Sequence, residues 1–158
     1  MKINVDYRDF YRFNNIKRYS NSLNQLYNEN NTEHSFMVAV ILIKLMSKYK
    51  VKSYNLLAFS LLHDASELVT GDINSLAKTQ KMRVELKKID KEFFKIYGTY
   101  FGLKSLKKYE YYLLKASDLL STYFYGKINK RAYIKSEGYR LFKYYLRLFK
   151  DAYYKGKK

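Results

Sequence analysis

Apolar residues return along most of this chain at intervals of three and four, the spacing of one face of an α-helix. Tyr7, Phe10, Tyr11 and Phe13 predict a first helix over Asp6 to Ile16, capped by Asp6. Arg18 to Asn31 is polar and Asn-rich, anchored by Leu23, Leu26 and Tyr27, and reads as a loop or short helical turn. A connection of that length is usually a functional one. Thr32 is the expected cap of a strong helix reaching about Tyr49. Phe36, Val40, Ile43 and Met46 recur there at helical spacing, and Val38, Leu42 and Leu45 widen the face until most of the helix is buried. Val51 to Asp64 predicts a second core helix, apolar at Leu56, Leu57, Phe59, Leu61 and Leu62, with His63 and Asp64 in its C-terminal half. Gly71 breaks the helical pattern, and Ile73 to Thr79 reads as a loop. Gln80 to Tyr97 is a charged amphipathic helix with Met82, Leu86, Ile89, Phe93 and Ile96 inward. After a turn, Leu106 to Tyr125 predicts a buried helix closed by Gly126. Lys130 to Tyr153 is the last, with Gly138 inside it as a point of close packing or a kink. With no proline and no alternating strand pattern, the expected fold class is all-α.

At 158 residues the expectation is a single domain, 1–158, around one core. The absence of cysteine excludes disulfides and thiolate metal sites. No signal-peptide core is visible, and the longest apolar runs, Val38 to Met46 and Leu56 to Leu62, are far short of a membrane span. A cytoplasmic location without membrane partners is therefore expected, the host-cell cytoplasm if the source is viral. In that setting the glycosylation-like Asn30-Asn31-Thr32 reads as accidental. Lys and Arg number 31 against 14 Asp and Glu, a net charge of +17. Such a surplus concentrates anions and suits nucleotides, or nucleic acid held nonspecifically through its phosphates. It is mostly Lys and is spread along the chain rather than gathered in a recognition helix.

Candidate chemistry is concentrated in three stretches, TEHS at 32–35, LLHDASELVTGD at 61–72 and KASD at 115–118. They hold both histidines, His34 and His63, each with acidic neighbours. Consecutive helical residues point about 100 degrees apart, so His63 and Asp64 cannot both hide on one stripe. A carboxylate at the edge of an apolar helix needs a cation or donors, and so does Asp118 in the middle of its apolar face. Imidazoles and carboxylates together suit one divalent transition ion such as Mn, Co, Fe or Zn, whereas Ca or Mg favours all-oxygen ligands. Glu67 lies three and four residues beyond Asp64 and His63 and can face the same cavity. Lys78, Lys81 and Arg83 are candidate phosphate contacts, and Lys115 is placed to pair with Asp118 or with substrate phosphate.

This order of His, His-Asp and distant Asp resembles the HD phosphohydrolase superfamily. HDASELVTGD is similar to the motif of bacterial 5'-deoxynucleotidases and of small viral relatives that hydrolyse deoxynucleoside triphosphates. TEHS resembles the first-ligand motif and KASD the last, and Arg18-Tyr19 is similar to an Arg-Trp pair upstream. The likeness runs from about Asn14 to about Tyr125. It implies a compact HD-domain bundle of about five to seven helices, with His34, His63, Asp64 and Asp118 as ligands of one metal ion. Glu67 would take or relay the proton of the attacking water, and Asp72 would hold the leaving oxygen or the sugar 3'-hydroxyl. Arg18 would grip phosphate and Tyr19 would pack on sugar or base. Tyr where the family has Trp, and one extra residue before the first His, bear on base preference and the fit to deoxyribose. A homodimer or higher homo-oligomer is also implied. The reading prefers hydrolysis of deoxynucleoside 5'-monophosphates. The alternatives are a deoxynucleoside triphosphate triphosphohydrolase, with dATP as a candidate substrate, and a basic helical nucleic-acid-binding protein.

Overall fold

A computed structural model describes residues 6–18, 28–73 and 77–156. Among them the regular elements are all helical: α1 Tyr7–Phe13, α2 Asn31–Tyr49, α3 Tyr54–Leu62, the single turn α4 Glu67–Thr70, α5 Gln80–Tyr100, α6 Lys108–Ile128 and α7 Ala132–Lys155. The one extended pairing described is an isolated antiparallel bridge between Lys17 and Asn30. No described helix is long and apolar enough to cross a membrane. The chain divides into two compact units, one of residues 1–35 and 62–104 and the other of 36–61 and 105–158.

In the first unit, α1 begins with the predicted Asp6 cap, which accepts from the Arg8 amide while Asp9 reaches back to the Asp6 amide. Phe10 meets Tyr97 edge-on at 5.8 Å, and Tyr97 stacks between Phe93 at 5.8 Å and Phe101 at 6.3 Å. Ala65 is buried in this aromatic cluster beside Leu62. Each fully buried large side chain of this kind contributes roughly 1.5–3 kcal/mol, enough to anchor the short segment that Ala65 belongs to. Helix α5 starts at Thr79, whose hydroxyl accepts from the Met82 amide. The first residues of α2 also belong here. They are capped by Asn30 rather than by the expected Thr32: Asn30 Oδ1 accepts from the Glu33 amide, and Glu33 Oε2 accepts from the Asn30 amide. Asn is the stronger cap, and the Lys17–Asn30 bridge already holds it in extended backbone.

In the second unit, α2 buries Val38, Ala39, Ile41, Leu42 and Leu45. Phe36, Val40 and Ile43, expected inward, are 63%, 44% and 53% exposed, so the buried stripe is narrower than the run of apolar residues. Leu61 of α3 is exposed as well. Lys50 ends α2 in the left-handed region at φ 55, and the Val51 amide returns to the Met46 carbonyl. Helices α6 and α7 form an antiparallel pair. Tyr112 meets Tyr145, and Tyr109 meets Tyr153, so residue numbers rise on one helix as they fall on the other. Gly126 does not close α6, which runs on to Ile128. It is buried inside the helix, where a Cβ would lie 2.5 Å from the Lys135 nitrogen; a Cβ on Gly138 would lie 2.9 Å from the Tyr123 nitrogen. The two glycines let the backbones approach. Gly126→Ala and Gly138→Ala are each expected to lower stability by about 1–3 kcal/mol through overpacking, despite the better helix propensity of Ala. Chemical denaturation of each variant checks this, and an unchanged midpoint contradicts it.

Candidate metal centre

The His63-Asp64 pair stands just past the end of α3, not within it. Residues 63–66 form a turn whose backbone closes by three-residue bonds: the Ala65 amide on the Leu62 carbonyl, Glu67 on Asp64 and Leu68 on Ala65. That tighter winding separates neighbouring side chains. Ala65 drops into the aromatic cluster while His63 and Asp64 are free to face the acids and bases described next.

His34 lies in the first turn of α2 and is 1% exposed. Its ring and that of His63 stand 5.3 Å apart, centre to centre, at 48 degrees. Asp64 Oδ2 lies 3.2 Å from His63 Nε2 and 3.7 Å from His34 Nε2. Arg18 is buried and donates from Nη1 to that same oxygen at 2.7 Å, with its Nε 3.5 Å from Glu29 Oε2. Glu29 Oε2 in turn lies 3.5 Å from His34 Nδ1, behind the ring. The bridge that follows α1 makes this possible, because the Arg18 amide bonds the Glu29 carbonyl at 2.9 Å and the Asn31 amide bonds the Ile16 carbonyl at 3.0 Å. Burial pushes the Asp64 carboxyl up, but the charges and hydrogen bond of His63 and the charges of Arg18 and His34 outweigh it. The group is held well below the usual carboxylate range.

Glu67 opens α4 and accepts from Asn31 Nδ2 at 2.5 Å. Its carboxyl is pushed up to about 8, first by burial and then by the negative charge of Asp64; Asp72 adds to this, while Arg18 and the Asn31 bond oppose it. Asp118, on α6, is paired with Lys115 at 3.1 Å. His34 and His63 each offer one ring nitrogen, and these atoms lie within 4.8 Å of one another. Two imidazoles with carboxylates close by are a donor set that suits one divalent transition metal. Lys78 is half-buried ahead of α5 and Lys81 is exposed in its first turn. Tyr19 lies outside the described residues.

Sequence reasoning missed Glu29 and Asn31. Glu29 was absorbed into a polar loop, although an acid five residues before His34 is the kind of group that orients an imidazole from behind. Asn31 was read only within a glycosylation-like triplet, yet it is fully buried. Glu33, beside His34, serves the start of α2 through its capping bond with the Asn30 amide.

The family described as 5'-deoxynucleotidase YfbR-like matches residues 7–133. No curated protein matches the chain. Among solved structures, the chain is similar to the HD phosphohydrolase of cyanophage S-2L, bound to dA and one catalytic Zn2+ ion. The TM-score is 0.72 at 19% identity, over 93% of this chain and 85% of that one. It is also similar to an HD-domain phosphohydrolase from Listeria innocua, with a TM-score of 0.66 at 20% identity over 89% and 84% of the two chains.

The Glu67 shift carries a pH dependence. Folding raises this carboxyl from 4.5 to about 8, so the native state binds the proton more tightly. Its contribution to stability is full below about pH 4.5 and is lost as pH rises through about 8. In metal-free protein, the fall in melting temperature between about pH 5.5 and about pH 8.5 is expected to be larger for the wild type than for Glu67→Gln. Equal falls in the two proteins contradict the assignment.

Proposed function

The chain belongs to the 5'-deoxynucleotidase YfbR-like family, and we propose that within it this protein hydrolyses 2'-deoxynucleoside 5'-triphosphates, dATP first among them, to deoxynucleoside and triphosphate. It is a metal-dependent HD phosphohydrolase acting on deoxynucleotides. The observation that carries the chemistry is the pair of buried imidazoles meeting at one Asp64 oxygen. The net charge of +17 favours the more highly charged triphosphate. The cyanophage enzyme, bound to dA and similar over 93% of this chain, favours a deoxyadenosine nucleotide. A second reading, hydrolysis of the 5'-monophosphate, is favoured by the family's own description.

In this proposal His34, His63, Asp64 and Asp118 hold the ion, which when bound supplies Lewis acidity toward a phosphate oxygen and a lowered pKa for water. Arg18 steadies Asp64, and as substrate enters it is the candidate to turn toward phosphate with a bidentate fork. Glu67, oriented by Asn31, takes the proton of the attacking water; a carboxyl with raised proton affinity is well matched to that task near neutral pH. The water oxygen bonds to the α-phosphorus as the bond to the 5'-oxygen breaks, and that oxygen leaves protonated on the deoxynucleoside. Asp72 holds the leaving oxygen or the 3'-hydroxyl, Tyr19 packs on sugar or base, and Lys78, Lys81 and Lys115 contact the phosphates. The proposal includes a single catalytic domain, a cytoplasmic setting and a homodimer or higher homo-oligomer. Exposed Phe36, Val40 and Ile43 of α2 offer an apolar stripe for such an assembly.

Protein supplied separately with Mn, Co or Zn and given dATP, dAMP or ATP is expected to release triphosphate from dATP. Phosphate from dAMP alone would favour the second reading, and no release from any combination would overturn both. Glu67→Ala is expected to keep the metal and lose about 100- to 10,000-fold in turnover. Asp64→Ala should lose metal and turnover together.

A further inference from the structure

Ser66 occupies the residue before α4, where a serine hydroxyl normally accepts from an amide in the first turn of the helix. Here it makes no such cap bond. Ser66 Oγ donates instead to Asp90 Oδ1 at 2.5 Å, across 24 residues of chain, to the middle of α5. Ser66 is buried and Asp90 half-buried, and His63, Ser66 and Asp90 line one crevice beside Phe93 and Tyr97.

The 63–66 turn is held from outside at several points. Arg18 Nη1 donates to Asp64 Oδ2 at 2.7 Å and so holds that side chain. Ala65 sits in the aromatic cluster, a contact without direction. The Ser66–Asp90 hydrogen bond is directional and charge-assisted, and it ties the end of the turn to α5. It opposes rotation of the turn about Ala65, which would swing His63 and Asp64 together. An added carboxylate close to an already acidic centre carries an electrostatic cost, so packing gives no reason to place it there. We propose that Asp90, acting through the Ser66 hydroxyl, is a positioning residue that fixes the direction in which His63 and Asp64 present their ligand atoms. The inference rests on the metal-centre reading of the function.

Cobalt(II) titration of the full chain tests it, with the dissociation constant and the visible ligand-field absorption as readouts and thermal melting alongside. Asp90→Ala and Ser66→Ala are each expected to weaken Co2+ binding about tenfold, the scale found for groups that orient ligands, and to shift or broaden the absorption band. Asp90→Asn keeps an oxygen that accepts from the hydroxyl, and is expected to restore both affinity and band. The double variant Ser66→Ala/Asp90→Ala should be no worse than either single change. Lower melting temperatures with wild-type affinity and an unaltered band would reduce the pair to a structural tie and overturn the inference, leaving the functional reading intact. Failure of the wild-type protein to bind Co2+ would overturn both.

Discussion

Three carboxylates and two buried imidazoles gather around a single guanidinium. Asp64, Glu29 and Glu67 lie within reach of Arg18, which hydrogen-bonds the first, pairs with the second and electrostatically lowers the third. One cation cannot neutralise three acids, and the molecule divides the burden unequally. Asp64 keeps its charge because Arg18 and both imidazoles face it, while Glu67 retains a proton far above its ordinary range. A divalent positive charge would relieve that burden, and the ring nitrogens of His34 and His63, within 4.8 Å of one another, suit such an ion.

The fold meets this constraint with local devices. The Lys17–Asn30 bridge brings Arg18 and Glu29 alongside the start of α2, and the Asn30–Glu33 capping pair fixes where that helix begins. His34, three residues into α2, therefore has Glu29 behind its ring. On the other side, α3 stops one residue before His63, and the aromatic cluster of α1 and α5 takes up Ala65. Asn31 then links the two segments by donating to Glu67. Each piece is short, and each puts one side chain in place rather than building general bulk.

Much of this could be seen in the sequence. The all-α class followed from the spacing of apolar residues, and α1, α5, α6 and α7 lie close to their expected spans because caps and amphipathic stripes are local signals. The metal-binding candidates stood out because the chain's two histidines sit beside acids in otherwise apolar stretches. What was missed depended on partners far along the chain. Thr32 looked like the cap because Ser and Thr often are; only the bridge to Lys17 makes Asn30 the better one. Phe36, Val40 and Ile43 repeat at helical spacing, but so do Val38, Leu42 and Leu45, and periodicity cannot say which stripe turns inward. Gly126 looked like a helix stop, and its close approach to Lys135 becomes visible only once α6 and α7 are paired. The contacts of the Arg18 guanidinium with Asp64 and Glu29 likewise depend on residues brought together only by the fold.

The central claim is that two histidines from separate segments serve one ion. X-ray absorption at the metal edge of zinc-loaded protein tests it directly, since imidazole rings leave a distinctive outer-shell scattering pattern. The account predicts nitrogen and oxygen ligands at about 2.0–2.1 Å with the scattering of two imidazoles. A spectrum fitted by oxygen ligands alone, with no imidazole contribution, would contradict it.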